Sequence, residues 1–148
     1  MIVLLDSGPL WRLCSARLSE ENRRCAEWLL RILARGDRVQ VPEIVDYEVR
    51  REALRACNLR ALTRLDELGR SLGYVPLTTE AMRRAAEFWA SGRQRGFPTG
   101  PEAGLDVDVI LAAQAARTTD PGEETVVATE NPRHIALFVP ALHWHEIG

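Results

Sequence analysis

Carboxylates are the groups through which this sequence could do chemistry, and they stand at widely separated places. Asp6 follows the apolar run IVLL (2–5), and Glu48 lies inside VPEIVDYEVRREAL (41–54). Asp106 and Asp108 open LDVDVILAAQAA (105–116), and Asn131 follows TVVAT (125–129). Past its two aspartates, 105–116 is almost wholly apolar, so a helix built from it is buried on nearly every side. Ionised carboxylates at the mouth of such a helix are costly unless something pairs with them. The partner could be the helix N-terminus, an arginine or a metal ion.

Composition narrows the chemistry. At 148 residues the chain is expected to form one domain, 1–148, with a substantial core. A net charge of −2 announces no global basic field for nucleic acid or an acidic membrane. All 19 basic residues are arginine, and the absence of lysine excludes a P-loop and any Schiff-base or lysine-base mechanism. Cys14, Cys25 and Cys57 form no CxxC pair, which suits a reduced, cytoplasmic protein. MIVLLDSGPL is too short to span a membrane and lacks the basic start of a signal peptide. A membrane role is therefore not expected.

The elements that must position the acids read as an alternation of strands and helices. IVLL reads as a buried strand, with Asp6-Ser7-Gly8-Pro9 as a turn. A helix is predicted over 20–35, begun by Ser19 and stopped by Gly36, then a strand at 38–42 and helices over 42–56 and 58–70. YVPL (74–77) reads as a strand and 80–92 as a helix. SGRQRGFPTGPEAG (91–104) is the long loop, and it carries Arg93 and Arg95. The buried helix at 106–117, strand 125–129, a TENPRH loop and a last strand near HWHEI complete the chain. Trp28 and Trp89 are assigned to the core. Short, uniformly apolar strands alternating with helices predict a parallel α/β sheet covered on both faces.

Sites in such sheets form at the carboxyl ends of strands. Asp6 and Thr129-Glu130-Asn131 fall at that edge, and Glu48, Asp106 and Asp108 are expected to converge there. Each residue alone has a plainer explanation. Asp6 could be a turn residue, Asp106 an N-cap, and Glu48 with Arg51 a surface pair. The joint placement carries more weight, because clustered carboxylates repel and a hard divalent cation is the usual remedy.

MIVLLDSG (1–8), VPEIVDYEVRREAL (41–54), LDVDVILAAQA (105–115) and VVATENPRHI (126–135), in this order, resemble the PIN domain, which includes the VapC-type ribonuclease toxins of toxin–antitoxin pairs. The resemblance implies a three-layer α/β/α sandwich around a short parallel sheet. It also implies Mg²⁺- or Mn²⁺-dependent cleavage of single-stranded or structured RNA. Asp6, Glu48 and Asp108 would be the catalytic ligands, with Asp106 an auxiliary acid and Asn131 at the last metal position. Bound ions would activate water and offset the charge growing on phosphorus, and two of them about 3.5–4 Å apart would serve both reacting oxygens. Many members carry an acid where Asn131 stands, which bears on the second ion. Ser7 and Thr129 would face substrate, and Arg93 and Arg95 would meet its phosphates. RNA, a cognate antitoxin and a second copy of the chain are the implied partners.

Three other readings compete. The same fold could serve as a catalytically silent nucleic-acid-binding or protein-interaction module, which Asn131 favours. A Mg²⁺-dependent phosphatase is another. His143 and His145, at i,i+2 on a terminal strand, could also form a zinc pair, whereas His134 has no visible task.

Overall fold

The computed structural model describes residues 1–96 and 102–148, with side chains from 105 onward in the second stretch. The chain runs β1 (Ile2–Leu5), α1 (Ser7–Cys14), α2 (Glu20–Ala34), β2 (Arg38–Pro42), α3 (Glu43–Arg55), α4 (Leu59–Leu72), β3 (Tyr74–Val75), α5 (Thr79–Gln94), α6 (Glu102–Thr118), β4 (Thr125–Thr129), α7 (Pro132–Ile135) and β5 (Ala141–His143), ending in a 3₁₀ turn (Trp144–Glu146). All strand pairs are parallel, in the order β3-β2-β1-β4-β5. β1 and β4 are buried along their whole length, which is why neither alternates in sequence. The strand order first grows outward from β1 through β2 to β3, then jumps back to β4 and β5. Right-handed crossovers in opposite directions place α1–α4 on one face and α5–α7 on the other. The packing agrees, since α1 to α4 contact one another while α5 packs on α6 and α6 on α7. This is the expected α/β/α sandwich.

Four local readings are corrected. Asp6-Ser7-Gly8-Pro9 is not a free turn but the start of α1. The Asp6 side chain accepts the Ser7 N–H, and Pro9 sits in the first turn, where its missing N–H costs nothing. The expected 91–104 loop is helical at both ends: 91–94 finish α5 and α6 begins at Glu102, while 97–101 lie outside the described residues. Asp106 and Asp108 are therefore a full turn or more inside α6 rather than at its N-terminus. The strand expected at 74–77 stops at Val75, and Pro132–Ile135 is a short helix.

Two buried polar contacts tie the layers together. Gln114, 1% exposed within the apolar run of α6, accepts the Ile44 N–H (3.2 Å) and donates to the Val75 carbonyl (2.7 Å). One side chain on α6 thus fixes the first turn of α3 and the end of β3. Trp28 of α2 donates its indole N–H to the Ile147 carbonyl at 3.0 Å and so anchors the C-terminal turn. Trp28 is a core residue as expected. Trp89 is not: it is 40% exposed on α5.

Candidate active site

The reversal of strand order falls between β1 and β4, and their carboxyl ends deliver the first two side chains. Asp6 leaves β1 as the N-cap of α1, and Thr129 ends β4. The Thr129 hydroxyl donates to Asp6 Oδ2 at 2.6 Å and accepts the Asn131 N–H at 3.1 Å. The Ser7 N–H holds Asp6 Oδ1 at 2.7 Å. Both oxygens of this carboxylate are therefore oriented by donors rigidly attached to the sheet edge. Thr129 is buried, and its hydroxyl bonds both Asp6 and the Asn131 N–H.

Glu48 comes from the second turn of α3, and Asp108 from α6 across the sheet edge. Electrostatics gives their proximity. The Glu48 carboxyl is pushed up to about 7, by burial first and by the Asp6 charge next, with a further push from Asp108. Arg51, 4.0 Å away, pulls it back. Asp108 is pushed up to about 6 by burial and then by Asp6, against the pull of His134. Asp6 is raised as well, chiefly by burial, while its bonds from Thr129 and Ser7 resist and Glu130 adds to the rise. Burial thus disfavours the charged form of all three acids, and the Asp6 charge adds to the rise at Glu48 and Asp108, an arrangement that a nearby positive charge would relieve.

The remaining expected residues divide. Ser7 borders the groove beside Glu48. Asp106, about 200° around the helix from Asp108, is exposed in a different groove, between α5 and α6 with Met82 and Trp89. It does not join the trio. Asn131 is exposed at the N-cap of α7, with no side-chain capping bond. Arg93 stacks over Trp89 at 5.1 Å and Arg95 is the C-cap residue of α5, whereas Arg51 lowers the pKa of Glu48 and His134 that of Asp108. His143 ends β5, and the turn that follows brings its ring 3.9 Å from that of His145, so the two do not share a strand face as i,i+2 residues.

Sequence reasoning missed two features. His134 Nδ1 lies 3.5 Å from Asp108 Oδ2, so the residue without a task stands against that acid. Glu130 packs its side chain against Gly8, where a Cβ would stand 2.7 Å from Glu130 Cγ, and is bonded by Arg12, which also pairs with Glu21 at 2.9 Å. Neither has a local signal, because the partners are far apart in sequence.

Among the described residues, no three His, Cys, Asp or Glu side chains are drawn together tightly enough to hold a metal ion as they stand. The donors nonetheless suit a hard, hydrated cation. All are carboxylate oxygens, and Mg²⁺ keeps several waters while binding only one or two carboxylates directly. An open trio fits that habit and does not fit a dehydrated, closed zinc site.

The fold and site define a parallel α/β protein with acidic side chains gathered near its topological switch point. The chain belongs to the PIN domain family, whose model matches residues 3–147. No curated protein matches it. Among solved structures it is similar to VapBC2 from Rickettsia felis bound to a DNA fragment from their promoter, at 15% identity and TM-score 0.72, covering 97% of this chain and 99% of that one. FitAcB from Neisseria gonorrhoeae is similar at 16% identity and TM-score 0.71, covering 98% and 99%. DNA-bound VapBC from Salmonella typhimurium is similar at 19% and 0.69, covering 97% and 98%. At these identities the likeness is one of fold. Among the described residues, no helix is long and apolar enough to cross a membrane.

Proposed function

We propose that this protein is a Mg²⁺- or Mn²⁺-dependent endoribonuclease, with Asp6, Glu48 and Asp108 as its metal-holding carboxylates. One observation carries the reading: Asp6 at the end of β1, Glu48 on α3 and Asp108 on α6 are half-buried or buried near the switch point, and the Asp6 charge raises the pKa of both Glu48 and Asp108. A divalent cation there supplies water activation and compensates the charge that grows on the scissile phosphate. The chain's own groups do the rest. Thr129 and the Ser7 N–H fix the oxygens of Asp6, His134 stands against one oxygen of Asp108, and Arg51 beside Glu48 offers a cation to an incoming phosphate. Membership of the PIN family and the fold shared with VapBC structures support a toxin role with an antitoxin partner. A second copy of the chain is the expected cover for Trp89 and Met82 on α5, both of which are exposed.

The competing reading is a silent binding module, and Asn131 in place of an acid favours it. Calorimetric titration with Mn²⁺ separates the two. The nuclease reading expects wild-type protein to bind Mn²⁺ and Asp6→Asn and Glu48→Gln to bind it at least tenfold more weakly, as ligand loss generally does. Equal Mn²⁺ affinity in all three, with RNA retained equally in EDTA, would leave the silent module.

A further inference from the structure

Trp11 has no part in the acid cluster, yet it lines the same groove as Ser7 and Glu48. α1 presents one continuous face from its N-cap outward, carrying Ser7, Gly8, Trp11 and Ser15 at helical spacing. Two open grooves meet on this face and share Gly8 and Trp11. One, of about 490 Å³, runs from Trp11 to Ser7, Glu48 and Arg51. The other, of about 480 Å³, runs from Trp11 the opposite way to Arg12, Arg17 and Asn22. The Trp11 ring is half-buried, packed on the core from beneath and bordering a groove on either side. Gly8 keeps the floor at backbone height, because a side chain there would run into Glu130.

The charges in these grooves are not equivalent. Glu52 is taken up by Arg55, and Glu21 and Glu130 by Arg12. Arg17 makes only backbone hydrogen bonds among the described residues, which leaves its exposed guanidinium available. Arg51, at the other end, stacks on the exposed Tyr47 ring at 5.0 Å and reaches Glu48 only at 4.0 Å. An aromatic ring between two arginines, in a groove shared with Glu48, is the composition used to bind single-stranded nucleic acid: bases stack and arginines follow the backbone. A duplex keeps its base faces covered and has nothing to offer the indole.

We propose that Trp11 is a base-stacking subsite for single-stranded RNA, positioned in the groove beside Glu48 and flanked by Arg51 and Arg17. The proposal rests on the nuclease reading for its choice of RNA.

The test uses full-length Asp108→Asn protein in Mn²⁺, so that RNA stays intact. A short oligouridylate, its abasic ribose-phosphate analogue and a duplex are titrated against it, alone and combined with Trp11→Ala or Trp11→Phe. Oligouridylate should quench tryptophan emission. Trp11→Ala should weaken oligouridylate binding on the order of tenfold and leave the abasic chain unaffected, while Trp11→Phe restores most of the affinity and abolishes most of the quench. If the alanine variant fails to fold, the loss of quench in Trp11→Phe and the comparison of abasic with base-bearing chain carry the test. Unchanged affinity in Trp11→Ala, equal binding of the abasic chain or duplex, or no binding of any oligomer would overturn it. Wild-type cleavage with a silent Trp11 defeats the subsite alone; binding through Trp11 without wild-type cleavage defeats the nuclease alone.

Discussion

At neutral pH and without a cation, Asp6, Glu48 and Asp108 must ionise in one another's field. Each has its pKa raised on folding, so each is protonated more readily in the folded state than in the unfolded one. Such a group stabilises the fold fully below its unfolded pKa, and that contribution is lost as pH rises through the folded value. With Asp108 moving from 3.8 to about 6 and Glu48 from 4.5 to about 7, metal-free stability should decline between roughly pH 4 and pH 7. Thermal melts in EDTA across that range check the sign; a rising melting temperature would contradict it. The same repulsion makes Asp108→Asn stabilising for the metal-free protein at pH 7, by about 1–3 °C because solvent still screens these partly exposed groups. Mn²⁺ should raise the melting temperature of the wild type more than that of Asp108→Asn, since only a ligand that binds the folded state stabilises it. His134→Asn should weaken Mn²⁺ binding less than Asp108→Asn does, because His134 touches the ligand and not the ion.

At the scale of elements, the site depends on how α3, α6 and the two central strands are held. Gln114 bonds α6 to both α3 and the end of β3. Gln114→Leu keeps the size but leaves the Ile44 N–H and the Val75 carbonyl unpaired, which costs about 1–3 kcal/mol for each group that stays buried. Urea unfolding should show that loss, and cleavage should fall with it as Glu48 is displaced; an unchanged midpoint would mean α3 is held some other way. This is also the scale at which the sequence was read most and least well. The apolar strands, the helices around 20–34 and 43–55 and the buried run of α6 were legible, because unbroken burial and period-3.6 patterns are local. α1 was not, because Asp-Ser-Gly-Pro uses the same residue types as a turn and as a capped first helical turn. The start of α6 was hidden by the Gly and Pro of the preceding stretch. Asp106 was grouped with Asp108 on sequence proximity, although i,i+2 on a helix sends the two to different faces. His134 and the Arg12–Glu130 pair were illegible for the opposite reason, since their partners lie on other elements.

For the molecule as a whole, a parallel sheet that reverses its strand order creates one crevice, and this chain lines that crevice with acids while keeping its net charge at only −2. The proposed function rests on that local concentration of negative charge and not on any global field. The exposed Trp89 and Met82 on α5 belong to the same scale. Light scattering should give a dimer for the wild type and a monomer for Trp89→Asp, whereas a monomeric wild type would remove the second copy as their cover. The central claim is that the trio cuts RNA with a divalent ion. The most direct test is cleavage of an end-labelled single-stranded RNA by purified protein in Mn²⁺, beside EDTA and Asp108→Asn controls. Products from the wild type that vanish in both controls are the predicted result. Products that persist with Asp108→Asn, or an intact RNA with a wild type that binds Mn²⁺ and RNA together, would contradict it.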